Sequence, residues 1–177
     1  MKHCGTQKIE TDRLILRRFV PEDYLPMYNN WASDPDVSNF LTWPPHTDAD
    51  VSQNVVNDWV KSYEKDNYYQ WAIVLKEIDE PIGSIDVVEY VDGCPVIGYC
   101  LGREFWNKGY MSEAAQSVLD YLRFEGFKHI LIEAMPENIG SNRVIQKLGF
   151  KSTGTKTKYV SLKDKYVVVN TYEIYFD

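Results

Sequence analysis

Three cysteines are too few, and too far apart, to hold this chain together: Cys4, Cys94 and Cys100 are an odd set without paired or metal-type spacing. They read as reduced thiols of a cytosolic protein, and no metal site is expected. Long apolar runs are missing as well. Nothing approaches the roughly 20 residues of a membrane-spanning helix. The opening Met1-Lys2-His3-Cys4 runs into polar Gly5-Thr6-Gln7-Lys8 rather than an apolar core, so no secretory leader is expected and the cytoplasm is the expected compartment. Positive charge is also short, at 19 Lys and Arg against 26 Asp and Glu, a net −7. A nucleic-acid grip needs cations that displace counterions, so that role is excluded, as is a membrane partner. The 10 glycines and 8 prolines form no linker, repeat or low-complexity tract, which makes residues 1–177 one expected domain.

What is present is a globular composition. Apolar residues make up 44% and charged residues 25%, enough to build a core at this length. Aromatics reach 14%, with 13 Tyr and 5 Trp, an excess that suits cleft walls as well as cores. The acidic field repels anions, so a phosphate site must be assembled locally from backbone N–H groups and a few cations. The same field attracts a cationic partner.

Periodicity supplies the elements. Leu14–Phe19 reads as a first strand, and Pro21-Glu22-Asp23 opens a helix through Trp31 that Ser33-Asp34-Pro35-Asp36 breaks. Pro26 fits that helix only near its first turn, where N–H groups lack partners anyway. Thr47-Asp48-Ala49-Asp50 has capping-box form ahead of the stripe Val51, Val55, Val56, Trp59, Val60 and Tyr63. Strands are expected at Tyr69–Leu75, Ile82–Tyr90 and Pro95–Leu101, with turns at Lys76–Pro81 and Val91-Asp92-Gly93. Met111, Ala114, Ala115, Val118, Leu119 and Leu122 mark the clearest helix, with Gly126 at its end. His129–Ala134 is a buried strand, Asn142–Leu148 a short helix stopped by Gly149, and Thr153–Val160 and Tyr166–Phe176 are closing strands. The order predicts an α/β (α+β) domain around one mixed sheet flanked by helices.

One stretch stands out chemically: Trp106-Asn107-Lys108-Gly109-Tyr110-Met111-Ser112-Glu113-Ala114, between a strand and the strongest helix. A turn there presents successive N–H groups, the helix start adds partial positive charge, and Gly109 lets the backbone approach a ligand closely. That would make a pyrophosphate cradle, although any strand–turn–helix junction can use a glycine. No G-x-G-x-x-G follows the first strand, which argues against a Rossmann dinucleotide site.

Four segments together resemble the GNAT acetyltransferase superfamily, in its ribosomal-protein N-terminal acetyltransferase branch (the RimJ/RimL type). They are Glu10–Arg17, Ser33–Val37, the loop Trp106–Ala114, and Asn138–Phe150, which is similar to N-x-x-S-x-R-V-x-x-K-L-G-F. The likeness runs from about residue 9 to the C-terminus. Three positions depart from the pattern. Trp106 replaces the superfamily's Gln or Arg, as is usual in this branch. Asn107 replaces a glycine, and asparagine tolerates left-handed backbone. Met111 replaces a small residue and could narrow the cradle.

The resemblance implies a mostly antiparallel GNAT sheet, split by a V-shaped opening between the strand ending near Leu101 and the strand 130–134, with acetyl-CoA as cosubstrate. Its pantetheine arm would pair with the backbone of Tyr99, Cys100 and Leu101. The turn from Trp106 through Asn107, Lys108, Gly109, Tyr110 and Met111 to Ser112 would hold the pyrophosphate. An N–H near Leu101 would stabilise the oxyanion, Asn138 would bond the pantetheine amide, and Ser141 would protonate the leaving thiolate. Helix capping is the alternative for Asn138 and Ser141, since both residue types favour that role ahead of a helix. For the base, Glu133 in the cleft strand is the choice, with Asp86, Tyr99 and His46 also in reach. The expected acceptor is an amine, first of all a peptide N-terminus. A small amine such as a polyamine, amino acid or antibiotic is the alternative, and a non-catalytic acyl-CoA-binding module a third reading. A homodimer is left open.

Overall fold

The computed structural model describes residues 3–177; Met1 and Lys2, on which part of the leader reading rests, lie outside it. Its centre is an eight-stranded sheet in the order β1-β2-β3-β4-β5-β6-β8-β7. The strands are β1 (Ile9–Glu10), β2 (Leu14–Arg17), β3 (Gln70–Leu75), β4 (Glu80–Val91), β5 (Cys94–Leu101), β6 (His129–Ala134), β7 (Lys151–Val160) and β8 (Lys165–Tyr175). All neighbours are antiparallel except β5 and β6.

That single parallel pair makes the site. β5 and β6 are in register at Val96–Leu131 and Ile97–Ile132 only. Beyond Ile97, β5 keeps its pairing with β4, while Glu133 and Ala134 of β6 pair with Thr171 and Asn170 of β8. The sheet therefore splits at the C-terminal ends of β5 and β6, opening the expected V.

Two apolar layers hold the split sheet. On one face, helices α4 (Tyr110–Phe124) and α5 (Ile139–Lys147) press Ala114, Val118, Leu122 and Ile145 against Leu14, Trp71, Ile85, Ile97 and Ile130. On the other, Met27, Trp31, Val37 and Val56 cover Ala72, Val74 and Cys100. These come from α1 (Tyr24–Met27), the π-turn after it (Tyr28–Ala32), α2 (Pro35–Ser38) and α3 (Ala49–Ser62).

The first helix differs from its expected form. Residues 21–32 make a 3₁₀ turn, then α1, then the π-turn, in which Ser33 N–H reaches back to Tyr28 O. Pro26 falls in the first turn of α1, where its missing N–H costs nothing. The expected break falls at Ser33 and Asp34, and a short helix, α2, starts directly after it at Pro35, because the Asp34 carboxylate accepts from Asp36 N–H and caps it. Two-residue β1 carries too little pattern to be read from sequence. α5 starts three residues early, at Ile139, because Asn138 caps it.

Candidate active site

Two cavities occupy the V and share a wall. The first, about 510 Å³, is lined by Tyr99, Cys100 and Leu101 of β5, the loop from Phe105 to Ser112 except Lys108, and α5 residues including Ser141, Arg143 and Lys147. The second, about 340 Å³, lies against the other end of the opening and is lined by Trp43, Trp59, Asp86, Glu133 and Lys158. Phe40, Leu41, Tyr99, Cys100, Asn138 and Ser141 line both. A molecule in each would meet at these residues.

Local backbone geometry shapes the first cavity. Asn107 (φ 59°) and Gly109 (φ 81°) both take left-handed conformations, which lets the chain turn sharply into α4. The first helical bond is Glu113 N–H to Gly109 O (3.1 Å). The N–H groups of Tyr110, Met111 and Ser112 precede it and are left over at the positive end of a 15-residue helix. A Cβ at Gly109 would lie 3.3 Å from the Arg13 guanidinium in an already strained conformation, so the cradle is cut for glycine.

Arg13 fixes this loop, a role that sequence reasoning missed. Its Nε donates to Glu113 Oε2 (2.7 Å), one terminal nitrogen donates to Lys108 O (2.8 Å), and the guanidinium sits 4.4 Å from the centre of the Tyr110 ring. Thr11 Oγ1 donates to Glu113 Oε1 (2.7 Å), and Arg13 N–H donates to the same oxygen (2.9 Å). These contacts, with the other hydrogen bonds it accepts, hold the Glu113 carboxyl below its ordinary value although burial opposes them. Glu113 lay inside the quoted motif, but its partner stands 100 residues away. No local pattern links them.

Most expected coenzyme residues meet in the first cavity. Met111 packs into the main core and also lines the first cavity. Trp106 donates from its indole to Leu101 O (2.7 Å), bracing the end of β5. Lys108 turns its amine toward the Phe105 ring and gives its carbonyl to Arg13. Along β5, Gly102 N–H donates to Ile82 O on the β4 side (2.8 Å). Alternation then aims the amides of Leu101 and Tyr99 into the opening. Cys100, in register with Ser84, turns its backbone to β4 and offers the opening only its side chain, which corrects the pairing expected for it.

At the shared wall, Tyr99 Oη and Ser141 Oγ are 3.0 Å apart. Burial pushes the Tyr99 phenol up to about 12, so it stays neutral and keeps a proton to donate. Ser141 does not cap. The cap is the Asn138 side-chain carbonyl, which accepts Ser141 N–H (3.1 Å), and Asn138 lines both cavities. Capping therefore explains Asn138 and leaves the Ser141 hydroxyl for the cavity.

The base candidates separate in the second cavity. Glu133 is ion-paired with Lys158 (2.9 Å) and Lys156, and hydrogen bonds to both lysines hold its carboxyl below its ordinary value against the opposing effect of burial. Such a carboxylate holds a proton poorly, which weighs against the base role expected of it. Asp86 is half-buried and, among the described residues, has no hydrogen-bond or ion-pair partner; burial pushes its carboxyl up to about 7. His46 turns Nδ1 to Ser52 Oγ (2.7 Å), and burial lowers its basicity.

Other charges read from sequence are spent structurally. Arg103 pairs with Asp34 (3.1 Å) and Asp36 (2.6 Å), so it does not face a phosphate. Asp34 and Asp48 cap helices. Trp31 and Tyr69 are core residues, while Trp43 reaches the second cavity. Among the described residues, no cluster of three His, Cys, Asp or Glu is arranged to hold a metal ion.

Comparison with known proteins agrees with this architecture. Residues 13–151 match the family model described as acetyltransferase (GNAT) domain. The uncharacterized N-acetyltransferase p20 of Bacillus licheniformis is 30% identical over 172 residues, covering 95% of this chain and 96% of its own. Among solved structures, a GNAT-family acetyltransferase from Bacillus anthracis superposes with TM-score 0.81 at 26% identity, over 96% of this chain and 98% of that one. The ribosomal L7/L12 α-N-protein acetyltransferase RimL, solved with coenzyme A, superposes with TM-score 0.82 at 20% identity, over 97% and 99%. The family match spans most of the chain and includes both the loop into α4 and the turn into α5, and the chain belongs to the GNAT acetyltransferase family.

Proposed function

We propose that this acetyltransferase moves an acetyl group from acetyl-CoA to a primary amine, first of all the α-amine of a peptide N-terminus, by direct attack with both substrates bound. The observation that carries the reading is the pair of cavities joined at Tyr99, Cys100 and Ser141. The larger one suits the donor: left-over N–H groups at the start of α4 and the cations Arg143 and Lys147 match phosphates, and the β5 edge matches an amide-bearing arm. Bound there, the coenzyme supplies an activated acyl thioester.

The chain's own groups then do four things. The loop 107–112 and α5 fix the donor. A β5 amide at Leu101 or Tyr99 offers a hydrogen bond to the thioester oxygen, a contact worth roughly 3 kcal/mol when it strengthens in the transition state. Ser141, backed by the neutral Tyr99 phenol, gives a proton to the departing sulfur. Asp86 takes the proton that the attacking amine must lose, and it serves here in preference to Glu133.

The α-amine reading rests on proton affinity. An α-ammonium near 8 is about one unit above a carboxyl at about 7, whereas a lysine ammonium near 10.4 is more than three above it. RimL, which shares the fold, is an α-N-protein acetyltransferase. A small amine is the second reading, favoured by the second cavity's modest 340 Å³, which suits a small molecule or one or two residues of a peptide.

The test is a panel of free-N-terminus peptides, N-blocked lysine peptides, spermidine, amino acids and amino alcohols, each incubated with acetyl-CoA and read by mass spectrometry. Fastest acetylation of the free peptides is expected. Preference for a small amine would move the acceptor to the second reading, and transfer to hydroxyls alone would overturn the amine.

A further inference from the structure

The far end of the split sheet carries a second chemical constellation. Cys94 opens β5 and His129 opens β6, side by side at the closed end of the only parallel pair among the described residues. Cys94 Sγ is 3.2 Å from His129 Nδ1, and His129 Nε2 is 3.0 Å from Glu173 Oε2 on β8. The Tyr175 ring stacks on the imidazole at 4.1 Å and 10°, and its hydroxyl donates to the same Glu173 oxygen (3.3 Å). Sulfur and carboxylate sit on opposite nitrogens of one ring, so the three cannot close on a single metal ion. They form a line along which a proton can move.

We propose that Cys94 is a site of thiol–disulfide exchange with low-molecular-weight disulfides, with His129 as its base and Glu173 as the group that orients the base. The Glu173 carboxylate accepts only, so it selects the imidazole tautomer protonated on Nε2 and leaves the Nδ1 lone pair facing the thiol. As Sγ attacks one sulfur of the disulfide, the S–H proton passes to Nδ1 and the S–S bond breaks. The departing thiolate takes that proton back. The products are a Cys94 mixed disulfide and one small thiol; Cys94 is oxidised and the leaving sulfur reduced, so protons and electrons balance.

Access is adequate. Cys94 is half-buried, the His129 and Glu173 side chains keep 24% and 29% of their exposure, and nothing lies within 4 Å of a Cβ built on the adjoining Gly93. Cys100, by contrast, is buried under α-helical cover, with burial pushing its thiol up to about 11. Cys94 lies five residues before Tyr99, roughly 17 Å along an extended strand, so the site is separate from acetyl transfer and does not rest on that reading.

The experiment uses the full chain with oxidised glutathione at neutral pH. Peptide-level mass spectrometry follows each cysteine in wild type, His129→Gln and Glu173→Gln. The expected result is a dithiothreitol-reversible adduct at Cys94 that forms about tenfold or more slowly in His129→Gln, with an intermediate rate in Glu173→Gln. Cys100 should stay unmodified in all three. A substitution that merely loosened the strand ends would expose the thiol and raise its rate, so the direction separates chemistry from unfolding. Equal or faster adduct formation in His129→Gln, or no adduct at Cys94 in wild type, would overturn the proposal.

Discussion

Ser141 and Asp86 face the joined cavities from opposite sides of the chemistry, and each makes a prediction that a structural residue would not. Ser141→Ala removes the hydroxyl 3.0 Å from Tyr99 while leaving the Asn138 cap on the Ser141 backbone intact. Its kcat should fall about 10²-fold, with the coenzyme KM changed far less, as expected for a group acting in the transition state. Loss of thermal stability at unchanged kcat would make Ser141 a packing residue. Asp86 must be ionised to accept a proton, so turnover should rise with pH through about 7, and Asp86→Asn should remove both the rate and that limb. Stability should move the other way. Burial raises the carboxyl from 3.8 to about 7, so the native state favours the protonated form, and stability is lost as pH climbs through that range. Asp86→Asn lacks the ionisation, so its melting temperature should match wild type near pH 4 and exceed it at pH 8. An Asp86→Asn protein with a melting temperature below wild type at pH 8 would contradict this.

At the level of elements, the loop into α4 is held from outside itself. Gly109 carries its left-handed turn, and Arg13 pins Lys108, Tyr110 and Glu113 from the start of β2. Gly109→Val puts a branched residue at φ 81° against Arg13, so coenzyme affinity measured by calorimetry should drop at least tenfold. Arg13→Ala should weaken coenzyme binding in the same assay with little effect on acceptor KM, because its side chain holds the loop and the first turn of α4. Equal coenzyme affinity in both variants and wild type would remove the loop from the site. The loop also shows what a sequence can reveal. Periodicity located α4 because it buries one continuous face, and the run of buried residues located β3. The glycine-bearing turn ahead of a helix announced itself locally. The Arg13–Glu113 clamp, the α2 turn and the shared wall of Phe40 and Leu41 did not, since they depend on contacts between distant segments. The acidic residues Asp34, Asp36 and Asp48 are likewise spent in folding, on caps and on Arg103.

At the scale of the whole molecule, one parallel pair in a sheet that is otherwise antiparallel among the described residues places the candidate site. Its divergence beyond Ile97 opens the cleft that holds the two cavities, between the two apolar layers. In the proposed reaction, donor and acceptor occupy one cavity each and meet at the wall the two share, which includes Ser141. The net charge of −7 does not hinder an anionic donor held by local N–H groups, and it favours a cationic acceptor. The central claim is therefore a stoichiometric one, tested by incubating the full chain with acetyl-CoA and a free-N-terminus peptide while following thiol release and peptide mass together. The account predicts one coenzyme A thiol released per acetyl group appearing on the peptide α-amine, with both signals lost in Asp86→Asn. Thiol release that does not depend on an amine, or peptide that stays unmodified with every amine in the panel, would contradict it.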